Sequence, residues 1–330
     1  MTASPRVAYL LAGSGPSAEG HPALFRTGDG GAHFRQVTAP VVRGRTGRPL
    51  PILTLVFVDP NHGYAIAGDP RVNRPAVLLY TADAARSWRR ARLPGAAAAH
   101  VDSVAGHGGR VFAAAIRCSS PVRCRDVTVY SSPTGSGSWH RTGAALPARD
   151  SESGVGLAAW GSTVWLMLGM GDSRHPMTLR STNSARTFTT LPPTTYAVTC
   201  SPAATSVRVI WTSCRTGTML AFQRTSGGGS GRSLPVEGAG TGDTFLDPLS
   251  DSVAYFGTAF GRQAGLYRTR DGGRRFTSVA GFPRRAARSG IAAQVTFLDT
   301  RVGLAILRGL NLLRTADGGH TWRRIHVHAS

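Results

Sequence analysis

Four acidic side chains recur in one local pattern, with a Ser or Thr two residues before the acid and a small residue two residues after it. The acids are Asp29, Asp83, Asp271 and Asp317. A carboxylate of this kind could act as a general acid or base, or as a ligand for calcium. The neighbouring residues indicate a turn instead, because Thr and Asp side chains bond nearby backbone N–H groups and Gly tolerates positive φ. We therefore interpret these aspartates as structural.

The complete pattern is S/T-x-D-x-G-x-x-W/F, which we call the turn motif, and its aromatic residue begins a returning strand. Three copies are complete and comprise Thr27, Asp29, Gly31 and Phe34; Thr269, Asp271, Gly273 and Phe276; and Thr315, Asp317, Gly319 and Trp322. Two copies lack the Gly and comprise Thr81, Asp83 and Trp88; and Ser181, Asn183 and Phe188. Fainter copies begin at Ser132 and Thr225. Each copy predicts a tight hairpin.

The copies are evenly spaced along the chain. Their first residues are at positions 27, 81, 132, 181, 225, 269 and 315, so successive copies are separated by 44 to 54 residues. A period of this size is typical of repeat architectures such as propellers. The spacing therefore predicts seven equivalent units.

Two short apolar runs precede the turn motifs, most clearly at 53–57 with 63–67 and at 294–298 with 303–307. With the two strands that flank the motif, each unit has four strands. Four-stranded units of this length form propeller blades. We predict an all-β fold, a single seven-bladed β-propeller over residues 1–330 made of four-stranded antiparallel blades. The approximate blade boundaries are 1–38, 39–95, 96–147, 148–192, 193–237, 238–283 and 284–330.

The first unit is one strand short. The chain enters it at residues 7–11, which correspond to a second strand, and residues 1–5 are too few for an inner strand. We therefore expect the innermost strand of blade one to be missing from this chain. An uncovered strand edge leaves backbone groups without partners. Our hypothesis is that the natural gene starts further upstream, with the missing strand and an export signal.

The turn motif resembles the Asp box, the bacterial neuraminidase repeat. A second pattern, F-x-D-x-x-x-G-Y/L-A-I, starts at Phe57 and again at Phe297. Together they make the chain similar to the propeller family of photosystem II assembly factors and their bacterial relatives, within the sialidase superfamily. The resemblance covers nearly the whole chain. It implies that the Asp boxes are structural and that a partner docks on a basic surface.

The chain has a formal net charge of +21, and all 38 of its basic residues are Arg. In the predicted propeller, one sector of the face opposite the turn motifs concentrates nine of them, offset only by Glu19 and Asp69. These are Arg43, Arg45, Arg48, Arg71, Arg74, Arg284, Arg285, Arg288 and Arg308. Arg makes bidentate contacts with carboxylates and phosphates, so we expect a protein or anionic polymer as partner. Solvated arginines on long loops are the alternative. Nucleic acid is not expected, since no binding motif is present.

We expect a non-catalytic assembly or interaction module, although enzyme activity stays open. The alternative is a sialidase-like glycoside hydrolase or a carbohydrate-binding propeller. Sialidase chemistry needs three arginines on a carboxylate, an acid/base Asp, and a Tyr activated by Glu. Glu237 and Tyr255 are the one such pair that the sequence suggests, and the Arg-Ile-Pro signature is absent.

Four cysteines make an even count, which suits an exported protein with disulfides. Cys118 and Cys124 flank a five-residue loop and are expected to bridge, whereas a pairing of Cys200 with Cys214 is left open. No CxxC pair occurs, and neither a metal nor another cofactor is expected. We expect an extracellular or cell-envelope monomer without a transmembrane segment. The N-terminus shows no export signal, so a cytoplasmic location stays open.

Overall fold

The computed structural model describes most of the chain. The described residues are 4–12, 22–44, 47–68, 76–96, 100–120, 123–147, 154–168, 177–192, 199–216, 219–229, 231–234, 244–258, 265–282, 294–307 and 311–326. Within these ranges the chain forms 28 strands and no helix. The strands belong to seven antiparallel sheets, and the path of each sheet follows the order of the chain.

The first three sheets differ in their number of strands. Blade one contains β1 (Ala8–Ala12), β2 (Ala23–Thr27) and β3 (Arg35–Val37). Blade two contains β4 (Ile52–Phe57), β5 (Gly63–Ala67), β6 (Val77–Thr81) and β7 (Arg89–Arg90). Blade three contains β8 (His100–His107), β9 (Arg110–Ser120), β10 (Arg123–Pro133) and β11 (His140–Arg141), and β12 (Leu146–Pro147) also pairs with β10.

The remaining four sheets have four strands each. Blade four contains β13 (Val155–Trp160), β14 (Thr163–Leu168), β15 (Met177–Ser181) and β16 (Thr189–Thr190). Blade five contains β17 (Thr199–Ala204), β18 (Val209–Thr216), β19 (Met219–Ser226) and β20 (Arg232–Ser233). Blade six contains β21 (Thr244–Pro248), β22 (Ala254–Thr258), β23 (Gly265–Thr269) and β24 (Thr277–Val279). Blade seven contains β25 (Gln294–Phe297), β26 (Gly303–Leu307), β27 (Asn311–Thr315) and β28 (Arg323–Ile325).

The predicted fold class is confirmed: the chain is an all-β, seven-bladed propeller. In the described ranges blade one has three strands in the order β1-β2-β3, as expected from the missing inner strand. The second strands of blades two and four are buried on both faces, so apolar residues occupy consecutive positions in them. All five residues of β5 and all six of β14 are buried.

The core of the molecule lies between neighbouring blades rather than within one sheet. Tyr9 of blade one packs in one cluster with Leu55 and Phe57 of blade two. On the other side, Ala8 of blade one packs with Leu304 of blade seven. Burial of such surfaces contributes about 25 cal/mol per Å² of apolar area. The ring is thus closed by contacts of the first blade with the last.

Two disulfides each join adjacent strands within one sheet. Cys118 and Cys124, the pair expected from the sequence, join β9 to β10 at a register pair. Cys200 and Cys214, whose pairing the sequence left open, join β17 to β18. The second bridge forms because an antiparallel hairpin brings the start of one strand beside the end of the next.

Candidate functional site

The turn motifs are closed by their own side chains. In blade one, the Thr27 hydroxyl donates to Asp29 at 2.8 Å and accepts the Gly31 N–H at 2.9 Å. Oδ1 of Asp29 also accepts the N–H groups of Ala32 and His33, at 2.9 and 3.1 Å. The same Thr-to-Asp bond recurs in the copies of blades two, six and seven at 2.7 to 2.8 Å. A carboxylate held in this way stabilises the turn.

These hydrogen bonds also keep the carboxylates ionised. The Ser87 hydroxyl, followed by backbone N–H groups and Thr81, lowers the pKa of Asp83 to about 2. The Thr321 hydroxyl and backbone hold the pKa of Asp317 well below its usual range. A catalytic acid near neutral pH needs a raised pKa. The shifts therefore support the structural interpretation of the motif aspartates.

All seven motifs lie at one end of the blades, which we call the motif face. In each blade the motif turn donates a backbone N–H to the turn that joins the first two strands of the same blade, or to the segment before β1 in blade one. The pairs are Gly30 to Arg6, Ala84 to Asn61, Thr134 to Gly109, Ser184 to Ser162, Gly227 to Arg208, Gly272 to Ser252 and Gly318 to Arg301. The other end of the blades, where the second strands end and the third strands begin, is the opposite face.

An arginine directly before the motif connects neighbouring blades, and our sequence interpretation missed this role. Arg180 donates to the carbonyl of Val207 at 2.9 Å. Arg314 of blade seven donates to the carbonyl of Gly30 in blade one at 2.7 Å. The signal was present, since five of the seven copies carry Arg at this position: Arg26, Arg180, Arg224, Arg268 and Arg314. Arg180 and Arg314 therefore help to hold neighbouring blades together, so part of the positive charge of the chain has a structural role.

Two of the nine predicted partner-binding arginines are described. Arg43 and Arg48 are exposed on a short hairpin over residues 42–50, which we call the basic hairpin and of which 45–46 are outside the described ranges. Its ends are joined by the Leu50 N–H bond to Val42 at 2.7 Å. The other seven predicted arginines, which lie outside the described residues, are Arg45, Arg71, Arg74, Arg284, Arg285, Arg288 and Arg308.

The basic hairpin is held by backbone bonds and by one of its own arginines. Gly44 donates to Arg48 at 2.8 Å, and Nη1 of Arg43 donates to the carbonyl of Gly47 at 2.9 Å. Gly47 adopts a φ of 77°, which favours glycine. None of the three ion pairs found among the described residues includes Arg43 or Arg48. The two guanidinium groups are therefore presented to solvent at the entry to β4.

The tyrosine considered for hydrolase chemistry has a packing role. The Tyr255 hydroxyl donates to the carbonyl of Thr300 at 3.1 Å, and its ring stacks on Phe297 with centroids 3.5 Å apart. Burial raises the pKa of Tyr255, although a hydrogen bond with Arg268 acts in the opposite direction. A nucleophilic tyrosine needs the reverse shift. Glu237, its proposed partner, lies outside the described residues.

Two acids of the inner strands are enclosed but are engaged with the backbone. Asp102 of β8 accepts the N–H of Val155, and Asp247 of β21 accepts the N–H of Phe297 at 2.5 Å. Asp247 keeps some accessible surface, yet protein atoms crowd it from all sides, and this desolvation raises its pKa to about 6. Each carboxylate accepts a hydrogen bond from the inner strand of the next blade, so both help to hold neighbouring blades together.

The described residues place no three His, Cys, Asp or Glu side chains close enough to hold a metal ion. In the same part of the chain, no helix is long and apolar enough to cross a bilayer.

No family model matches the chain, and no curated protein matches its sequence. Among solved structures, YCF48 bound to D1 peptide is similar, with 15% identity, coverage of 87% of this chain and 82% of that one, and a TM-score of 0.57. YCF48 from Cyanidioschyzon merolae gives 16% identity, 84% and 86% coverage, and a TM-score of 0.56. The Trypanosoma rangeli sialidase in complex with the inhibitor DANA gives 14% identity, 88% and 58% coverage, and a TM-score of 0.48. At these identities the likeness to the two YCF48 structures establishes the propeller fold alone.

Proposed function

We propose that this chain is a non-catalytic propeller module that binds an acidic segment of a partner protein through the opposite face. The observation that carries the proposal is the basic hairpin, whose Arg43 and Arg48 are exposed and pair with no acid among the described residues. Arg binds carboxylates through two parallel hydrogen bonds, and a backbone-bonded hairpin loses little entropy when it engages them.

A related fold supports a peptide as the partner. YCF48, whose fold this chain shares at low identity, has been solved bound to D1 peptide. A propeller of this kind can therefore present a peptide-binding surface. The remaining seven arginines of the predicted sector would extend the basic hairpin into a broader docking surface.

We further propose that the protein works in an oxidising compartment outside the cytoplasm. The support is the pair of disulfides, Cys118–Cys124 and Cys200–Cys214, because such bonds persist where thiols are not kept reduced. Titration of thiols in protein isolated from its native cells under denaturing, non-reducing conditions should detect none. Four reactive thiols per chain would refute this location.

The docking proposal is tested with a fluorescent oligoglutamate peptide and measurements of anisotropy at several salt concentrations. The triple variant Arg43→Ser, Arg45→Ser and Arg48→Ser should weaken binding by about tenfold and reduce the salt dependence, because three charge-assisted contacts are lost. A matched control removes the same charge near the motif face with Arg86→Ser, Arg89→Ser and Arg90→Ser, all of which are exposed. If both triple variants weaken binding equally, the effect belongs to net charge and the proposed site is wrong.

A further inference from the structure

The outer strands of the blades carry different side chains in two parts of the ring. In blades seven, one, two and three they present exposed arginines, which are Arg323, Arg324, Arg35, Arg89, Arg90 and Arg141. We call this group of residues the arginine rim. The outer strands β16, β20 and β24 of blades four to six hold Thr, Ser and Val side chains and a single arginine, Arg232.

The arginine outside the rim has a structural partner, whereas the rim presents its charge to solvent. Arg232 donates to the carbonyls of Gly272 and Gly273 at 2.6 and 3.3 Å, and so connects blade five to blade six. None of the three ion pairs among the described residues includes a rim arginine. The outer strands themselves contain no acid. The motif aspartates that border the rim are each bonded within their own turn, and they are Asp29, Asp83 and Asp317.

Contacts between blades bring the outer strands of blades seven and one together. Ile325, which follows Arg324 in β28, packs in the same apolar cluster as Phe34, which directly precedes Arg35. Packed sheets lie about 10 Å apart. A ligand with several charges in a row can therefore contact the arginines of both blades.

The same continuity extends to blades two and three. The indole N–H of Trp88, directly before Arg89, donates at 2.8 Å to the carbonyl of Thr38, the residue after β3. Beyond β7, Arg92 forms a β-bridge with Ser138 of blade three. The arginine rim thus crosses three blade junctions and spans at least about 30 Å.

The shape of the rim favours a flexible ligand over a flat one. Propeller blades are arranged around a central channel, so their outer strands form the convex side of the molecule. A flat bilayer touches a convex wall along a narrow zone. A flexible chain can follow the wall from blade to blade.

The rim also lacks aromatic side chains on which nucleic-acid bases could stack. The described outer strands contain no Phe, Tyr or Trp. The motif aromatics beside them pack against the blades: Phe34 and Trp139 are buried, and Trp322 donates its indole N–H to a carbonyl at 2.9 Å. Single-stranded nucleic acids are held largely by base stacking, whereas phosphate groups need only the guanidinium forks.

We propose that the arginine rim binds a flexible, linear phosphate polymer that follows the side of the ring from blade seven to blade three. Each arginine supplies a weak contact, and the contacts act together because the polymer links them. Release of counterions from the polymer contributes to the affinity and makes it dependent on salt. This surface is separate from the basic hairpin and does not rest on the proposed function.

The probe is long-chain inorganic polyphosphate, immobilised through one end. Biolayer interferometry of the full chain at several salt concentrations should show an affinity that decreases steeply as salt increases. At equal phosphate concentration, soluble tripolyphosphate should compete at least about tenfold less well than soluble long-chain polyphosphate, because it is too short to link several blades. Equal competition would overturn binding along the rim.

A rim variant and a matched control locate the contact. Arg35→Ser, Arg89→Ser and Arg324→Ser together remove one exposed charge from each of three blades and should weaken polyphosphate binding by at least about tenfold. The loss of three phosphate contacts should also reduce the slope of log affinity against log salt by about two. The triple Ser variant of the basic hairpin removes the same charge and should leave both quantities unchanged.

The outcomes separate the rim from the basic hairpin. A short oligoglutamate peptide should respond to the hairpin variant and not to the rim variant, so either proposal can fail without the other. If both variants weaken polyphosphate binding equally, net charge is responsible and the rim proposal is overturned. If anionic phospholipid vesicles or single-stranded DNA bind the rim more tightly than polyphosphate does, the partner is a membrane or a nucleic acid, and the proposal is again overturned.

Discussion

In blades one and six, the second strand places a tyrosine against a phenylalanine of the following blade. The rings of Tyr9 and Phe57 stack with centroids 3.4 Å apart, and those of Tyr255 and Phe297 are 3.5 Å apart. Both tyrosine hydroxyls donate to a carbonyl in the first turn of the next blade. Both blades also carry a complete turn motif. Their halves next to the motif face are therefore equivalent.

The inner halves of these two blades differ. Blade six has the inner strand β21, whose Asp247 bonds to the inner strand of blade seven, whereas the sheet of blade one begins with β1 among the described residues. The comparison indicates that motif-side contacts of the same kind connect both blades to their neighbours.

The largest expected effect comes from removing an aromatic side chain that packs between two blades. Phe297→Ala should lower the free energy of unfolding by about 3–5 kcal/mol, since Phe297 is fully buried. Phe57→Ala should cost a similar amount, because Phe57 is also buried and stacks on Tyr9 in the same way. Denaturant unfolding of both variants measures the difference. A much smaller or larger loss for Phe57→Ala would contradict the equivalence of the two motif-side halves.

The second prediction concerns the pH dependence of stability and the inner strand of blade six. The folded-state pKa of Asp247, about 6, exceeds its ordinary value of 3.8, so its contribution to stability decreases as pH rises from about 4 to 6. Two pKa units correspond to about 3 kcal/mol as an upper limit. Asp247→Asn keeps an acceptor for the Phe297 N–H and should remove this decrease.

Unfolding midpoints between pH 4 and 7 test the assignment. Asp102→Asn is the control, because Asp102 also has a raised pKa but belongs to blade three. The Asp102→Asn variant should retain the decrease in unfolding midpoint with rising pH that Asp247 causes. If Asp247→Asn leaves the wild-type slope intact, Asp247 is not the group responsible.

The third prediction tests whether the motif-side halves are truly equivalent. Thr27→Val and Thr269→Val should each cost about 1–3 kcal/mol, because the buried N–H of Gly31 or Gly273 loses its acceptor. Thermal or denaturant unfolding should give similar losses for the two variants. The matching Ser variants keep the hydroxyl and should retain most of the stability. A much larger loss at Thr27 would show that blade one depends more heavily on its turn.

The smallest expected effect is a gain in stability in an incomplete motif. Blades one and six have Gly at both left-handed positions, whereas Ala84 and Ala85 of blade two adopt φ values of 60° and 64°. Ala84→Gly should stabilise the protein by up to about 1 kcal/mol, since relief of left-handed strain exceeds the entropic cost of Gly. Ala82→Gly, in the same turn without positive φ, should not stabilise. Equal effects of the two variants would contradict the strain argument.

Much of the fold could be predicted from the chain because the determining signals are local. Thr27, Asp29 and Gly31 lie within five residues, and their hydrogen bonds join the same residues that define the pattern. The pairing of Cys118 with Cys124 is local in the same sense. The role of Arg314 was missed because its partner, Gly30, is at the far end of the sequence and becomes a neighbour only when the ring closes.

The sequence by itself determined seven repeats, the all-β class and a first blade with one strand fewer than the others, and it predicted a structural use of the motif aspartates. These features follow from short-range periodicity and turn chemistry. Only the tertiary structure decided that β1 lies between β4 and β25, with Val42 and Leu50 of the basic hairpin in the same core cluster as Leu11. That arrangement depends on ring closure, which brings residues near 10, 53 and 294 together, and no local pattern encodes such a meeting.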